Sequence, residues 1–156
     1  MFIPRIRKSL KPGYLSFTYD MTYFDLMKIP IRYDIDKKIL LNNYNRVKTM
    51  ITTPFTNEAF FTLNDDLKRA SYILKLKGIK TEHVEYKLPE DLKQRLKNTY
   101  NLQGLKEEIN EELESVKNDF AICVDYDELL SAKNHYTLLY KLIRLDKEIY
   151  ERINEW

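Results

Sequence analysis

One thiol and two imidazoles, Cys123, His83 and His135, are the chain's only candidates for a soft nucleophile or for a base that titrates near neutrality. A Cys/His pair works when the imidazole lies beside the thiol and draws off its proton. Cys123 and His135 stand twelve residues apart with no local signature around either, so the plainer reading is a buried structural cysteine and a histidine on a helix surface. A zinc site needs several N, S or O ligands at set spacings, and a chain with one cysteine and scattered histidines offers none.

Glu85-Tyr86-Lys87 falls in a stretch, Ile79 to Leu88, that reads as a strand. It resembles the E-x-K element of restriction-type nucleases, in which the carboxylate holds a metal and the lysine assists attack by water. The resemblance implies an Asp on a neighbouring strand, but a helical pattern from Asp65 to Lys77 occupies that place, so a metal-dependent nuclease ranks third among the readings. Asp34 with Asp36, and Asp125 with Asp127, could each hold a divalent cation, yet each pair precedes a helical pattern and capping accounts for both. No Walker loop, G-x-G-x-x-G, G-x-S-x-G or H-E-x-x-H occurs, and three glycines cannot build a phosphate cradle. The sequence therefore assigns no catalytic residue, no metal ligand and no cofactor.

Extended surfaces carry the remaining chemistry. Arg5, Arg7, Lys8 and Lys11 precede Tyr14, Phe17, Tyr19 and Tyr23, and cations beside stackable rings are what single-stranded nucleic acid binding uses. Glu107, Glu108, Glu111, Glu112 and Glu114 crowd one helix, a row suited to a protein partner with a basic surface. The final helix bears a second apolar stripe, Leu138, Leu142, Leu145, Ile149, Ile153 and Trp156, about 100° from the first, and an uncovered stripe points to a homodimer.

The elements that must position these groups follow from periodicity. Tyr14 to Tyr19 and Ile29 to Ile35 alternate in the manner of strands, the second with Pro30 at an edge position. Helical spacing runs from Asp36 until Pro54, again from Asn64 or Asp65 to Lys77 with Gly78 as a stop, and briefly after Pro89. Leu105, Ile109, Leu113, Val116 and Phe120 give one amphipathic helix over Gly104 to Phe120, then Phe120 to Val124 reads as a short strand or a break before the last helix. The fold class expected is α+β: a small N-terminal antiparallel sheet with packing helices, and a helical C-terminal half.

The length of 156 residues and 44% hydrophobic content suit a single domain spanning 1–156 with a substantial core. One cysteine excludes an internal disulfide and fits a reducing compartment, and the chain shows no leader pattern or spanning segment, so a cytoplasmic, non-membrane protein is expected. Residues 1–50 hold ten Lys/Arg against four Asp/Glu, and residues 101–156 seven against thirteen, a polarity that bears on partners. Together with Lys-, Asn-, Ile- and Tyr-rich usage, these features point to a non-enzymatic binding protein, phage- or mobile-element-encoded, acting as inhibitor or adaptor on a nucleic-acid-processing complex. Direct DNA or RNA binding through the basic aromatic N-terminal region is the alternative.

Overall fold

The structure, a computed structural model, describes residues 6–7, 20–50, 54–81, 84–97 and 101–154. It falls into two compact units, residues 1–80 and 81–156.

In the first unit, strands β1 (Ile6–Arg7) and β2 (Asp20–Met21) pair antiparallel with Ile6 opposite Met21. Helices α1 (Tyr23–Leu26), α2 (Lys37–Met50), α3 (Pro54–Asn64) and α4 (Asp66–Leu76) follow. The second unit is helical: α5 (Glu90–Lys97), α6 (Leu102–Asp125) and α7 (Leu129–Asn154).

The α+β expectation is thus corrected, since a two-residue ladder is the whole of the sheet among the described residues. Tyr14 to Tyr19 lies outside them. Ile29 to Ile35 is irregular: Tyr33 alone is fully buried, Ile31 is exposed, and the Tyr33 carbonyl bonds a side chain, not a strand. Residues 84–88 form no strand, although Val84, Tyr86 and Leu88 are more buried than Glu85 and Lys87. Phe120 to Val124 continues α6, with Phe120, Cys123 and Val124 inward.

Local chemistry sets the helix ends. Thr22 and Asp25 form a reciprocal capping box on α1, Asp36 accepts from the Lys38 and Ile39 amides, and Asp65 accepts from the Lys68 amide. Helices α1, α4 and α6 end in the same double hydrogen-bond pattern, in which the left-handed residue is Lys28 (φ 56°), Gly78 (φ 81°) and Asp127 (φ 55°) respectively. A chain with three glycines uses glycine at one of these three turns.

The first unit is tied together by aromatic and polar bridges. Tyr23 stacks on Tyr72 with ring centroids 4.7 Å apart, and the Tyr23 amide donates to the Tyr72 hydroxyl at 2.9 Å. Asn43 of α2 donates to the Met27 carbonyl at 2.9 Å. Arg69, 4% exposed, donates to the carbonyls of Tyr33 (2.7 Å) and Leu63 (2.8 Å) and pairs with Asp66 (3.0 Å), which also pairs with Lys37 (3.1 Å).

In the second unit α6 and α7 form an antiparallel hairpin, because three residues join two long helices and Lys106 near the start of α6 pairs with Asp146 near the end of α7 at 2.9 Å. Arg95 ties α5 to α6 through Glu108 at 3.1 Å. The α6 stripe expected from the sequence is buried throughout. On α7, Ala132, Tyr136, Leu139, Leu142, Leu145 and Ile149 are all buried, so the two stripes merge into one inward band covering about half the helix circumference.

Candidate partner-binding surfaces

The structure brings Cys123 and His135 together, with Sγ 3.8 Å from Nδ1, and sets Asp119 Oδ2 3.8 Å from Nε2. The arrangement is nonetheless unsuited to nucleophilic work. Nδ1 carries its proton into a 2.7 Å hydrogen bond to the Ser131 carbonyl, so the nitrogen facing sulfur cannot accept the thiol proton. Burial, aided by the carboxylates of Glu128 and Asp119, pushes the Cys123 thiol up from its ordinary value, which keeps it protonated. Glu85 and Lys87 are both exposed on irregular chain, and no cluster of three metal-ligating side chains occurs among the described residues.

All five carboxylates of the acidic row lie exposed on α6, and two have partners among the described residues: Glu108 with Arg95, and Glu114 with Lys117 at 3.3 Å. Arg5, Lys8, Lys11, Tyr14 and Tyr19 lie outside the described residues, as does the side chain of Arg7. Of the stripe expected to join two copies, Leu142 (6% exposed), Leu145 (5%) and Ile149 (0%) are covered by the chain itself, Ile153 is half-buried, Leu138 is exposed, and Trp156 lies outside the described residues. The bare stripe that argued for a homodimer is therefore not there: a band half the helix wide packs inward.

Two surfaces escaped the sequence. Helix α2 carries Lys37, Lys38, Arg46 and Lys48 and no acidic residue, all four exposed; Lys38 lies opposite the buried Leu40 and Val47, and the other three flank it. Lys37 pairs with Asp66, and Lys48 lies 5.2 Å from the centroid of the Tyr44 ring, itself stacked on Phe60 of α3 at 4.3 Å. A charge count by helical angle over 37–50 would have found this face. The second surface is the hairpin tip, where Ile122, Tyr126 (76% exposed) and Leu130 (78%) stand uncovered; it stayed hidden while 120–124 read as a strand or break.

Sequence comparison finds similarity to co-chaperone proteins. A co-chaperone protein HscB homologue of Shewanella baltica (strain OS195) is 30% identical over 81 residues, 40% of this chain and 47% of the relative. The homologue of Vibrio cholerae serotype O1 (strain M66-2) is 28% identical over 130 residues, 72% of this chain and 68% of the relative. The chain spans about half the length of the Shewanella relatives it matches. No protein-family model matches. Among solved structures, chaperone HscB from Vibrio cholerae superposes with a TM-score of 0.69 at 20% identity, covering 86% of this chain and 98% of that one. The Jac1 co-chaperone from Saccharomyces cerevisiae gives 0.68 at 20% identity, covering 83% and 97%, and the human co-chaperone protein HscB gives 0.73 at 15%, covering 100% and 95%.

The chain has the fold of these co-chaperones. That overturns the phage-type inhibitor acting on a nucleic-acid-processing complex, the DNA- or RNA-binding alternative and the nuclease reading, because sequence and fold both lead to co-chaperones. The partner with a basic surface is corrected with them. The physical reason is that charge polarity and an acidic helix face describe attraction in general and carry no partner identity. No helix among the described residues is long and apolar enough to cross a membrane.

Proposed function

We propose that this chain is a co-chaperone, a non-enzymatic protein that acts by binding a chaperone inside the cell. The observation that carries the reading is the agreement in fold, over 83–100% of the chain, with three co-chaperone structures, supported by 28–30% identity to co-chaperone homologues. A binding role also fits a molecule whose one Cys/His pair is chemically idle. A single buried thiol suits a reducing compartment such as the cytoplasm.

Within the first unit the cationic face of α2 is the surface we assign to the chaperone. It has four cations and no carboxylate of its own, with Leu41 exposed beside them, and an acidic patch on the chaperone would complement it. No partner is assigned to the acidic row of α6.

The test is titration calorimetry of the full chain against chaperones purified from its native host, at low and at high salt. Saturable binding to a chaperone that weakens with salt and is abolished by Lys38→Glu with Arg46→Glu supports the reading. Binding to none of them would refute the co-chaperone reading; binding untouched by the double charge reversal would refute only the α2 assignment.

A further inference from the structure

A cavity of about 140 Å3 lies in the first unit, between the 29–36 segment and Ile39 in the first turn of α2. Its apolar lining is Ile29, Pro30, Ile35 and Ile39. Ile29 and Ile35 are half-buried, while Pro30, Ile39 and the adjoining Ile31 are exposed, so an apolar collar surrounds the opening. The volume lies well below the ~300–1,000 Å3 of pockets for drug-sized ligands, and suits one inserted side chain.

The segment that forms the cavity is fixed along its length. The Ile29 amide donates to the Phe24 carbonyl at 3.1 Å, Arg69 holds the Tyr33 carbonyl at 2.7 Å, and Asp36 caps α2 by accepting from the Lys38 amide at 2.8 Å. A cavity built on anchored backbone costs little ordering when it is filled. Its surroundings are cationic: residues 28–48 hold six Lys/Arg against two Asp and no Glu. Ile39, Asn42 and Arg46 recur at helical spacing on one side of α2 with Lys38 adjoining, so the cavity wall continues into the cationic face.

We propose that this cavity receives one apolar side chain, of leucine size, from an acidic segment of the chaperone whose carboxylates meet Lys38 and Arg46. The inference rests on the assignment of α2 to the chaperone, and adds the chemistry of the segment that docks there. Burial of the anchor in the cavity supplies affinity, and the cations around it supply attraction and salt dependence.

The test titrates the full chain with three short peptides, followed by amide NMR shifts at 29–39: an acidic peptide with a central leucine, the same peptide with serine in its place, and a neutral peptide with the leucine. The acidic leucine peptide is expected to bind tightest, with the serine peptide about tenfold weaker. The neutral peptide should be about fivefold weaker at low salt and equal at high salt. Ile39→Ser, at an exposed position, should remove most of the preference for leucine and leave the salt dependence unchanged, whereas Lys38→Glu with Arg46→Glu should reverse the preference for acidic over neutral and keep that for leucine. Equal binding of the leucine and serine peptides, a neutral peptide as tight as the acidic one at low salt, or Ile39→Ser without effect would overturn the proposal. No chaperone enters these titrations, so host chaperones that fail to bind the chain refute the co-chaperone reading and not the selectivity of the cavity, while a chaperone that binds Ile39→Ser as tightly as the unmodified chain overturns this occupant.

Discussion

Arg69→Ala should be the most damaging single change in the first unit. The guanidinium is the sole charged side chain buried there among the described residues, and by donating from α4 to the Tyr33 and Leu63 carbonyls it ties that helix to the 29–36 segment and to the end of α3. Removing it takes a donor away from two buried carbonyls, at about 1–3 kcal/mol each. It also deletes the contact with the Tyr33 ring, 4.6 Å from centroid to guanidinium carbon, for about another 1 kcal/mol. Asp66 is not stranded, because Lys37 remains 3.1 Å away. The loss comes to about 3–7 kcal/mol, against a total of roughly 5–15 kcal/mol for a native protein. In a thermal scan of a unit this size that is a fall of at least about 12 °C. Arg69→Lys should recover only part, since one ammonium lacks the planar fork that reaches three acceptors. Urea unfolding followed by circular dichroism gives the number. A loss below about 1 kcal/mol for Arg69→Ala would mean that the carbonyls are solvated and that the bridging argument is wrong.

Lys28→Gly and Asp127→Gly should each raise stability by about 1 kcal/mol, because glycine takes the left-handed turn without the Cβ penalty, and Gly78→Ala should lose as much; denaturant midpoints decide, and a destabilised Lys28→Gly would count against the geometry. Tyr86 titrates at about 12, raised first by burial and then by the Glu148 carboxylate, with Arg144 opposing. A folded-state value above the unfolded one means that this stability is complete below pH ~10 and is lost as pH rises towards 12, so Tyr86→Phe should flatten alkaline unfolding, with tyrosinate absorbance as the readout. Cys123 should react with thiol reagents only as fast as the second unit opens, and rapid reaction in the native state would contradict its burial. One sharp calorimetric transition would support the single cooperative domain expected from the sequence, whereas two would make the two compact units independent.

The long helices were legible because their apolar residues recur at helical spacing and their ends carry Asp65, Gly78 and Pro89 as markers. Helix α3 was missed: Pro54 reads as a stop for the preceding helix, but it stands at the first position of the next, where its missing N–H costs nothing. The strand assigned to Ile29 to Ile35 failed because four apolar residues at period two mimic a pleat, while tertiary bonding from Arg69 to the Tyr33 carbonyl decides the path. Nothing local to Arg69 marks it as buried. The cationic face of α2 is written in the sequence at 37–50, but in the net charge of residues 1–50 its four cations merge with those of the N-terminal arm.

The α6–α7 hairpin has a consequence for how the second unit assembles and breathes. Its turn, Tyr126 to Glu128, closes a loop of few residues, whereas the Lys106–Asp146 pair at the far end joins positions forty apart. Loop-closure cost rises with that separation, so the hairpin zips from the turn outward, each new layer shortening the next search. Opening runs the other way. Amides beside Phe120 and Leu139 should exchange with solvent far more slowly than those beside Leu102 and Ile153, a gradient of protection laid along the helices by their order in the chain.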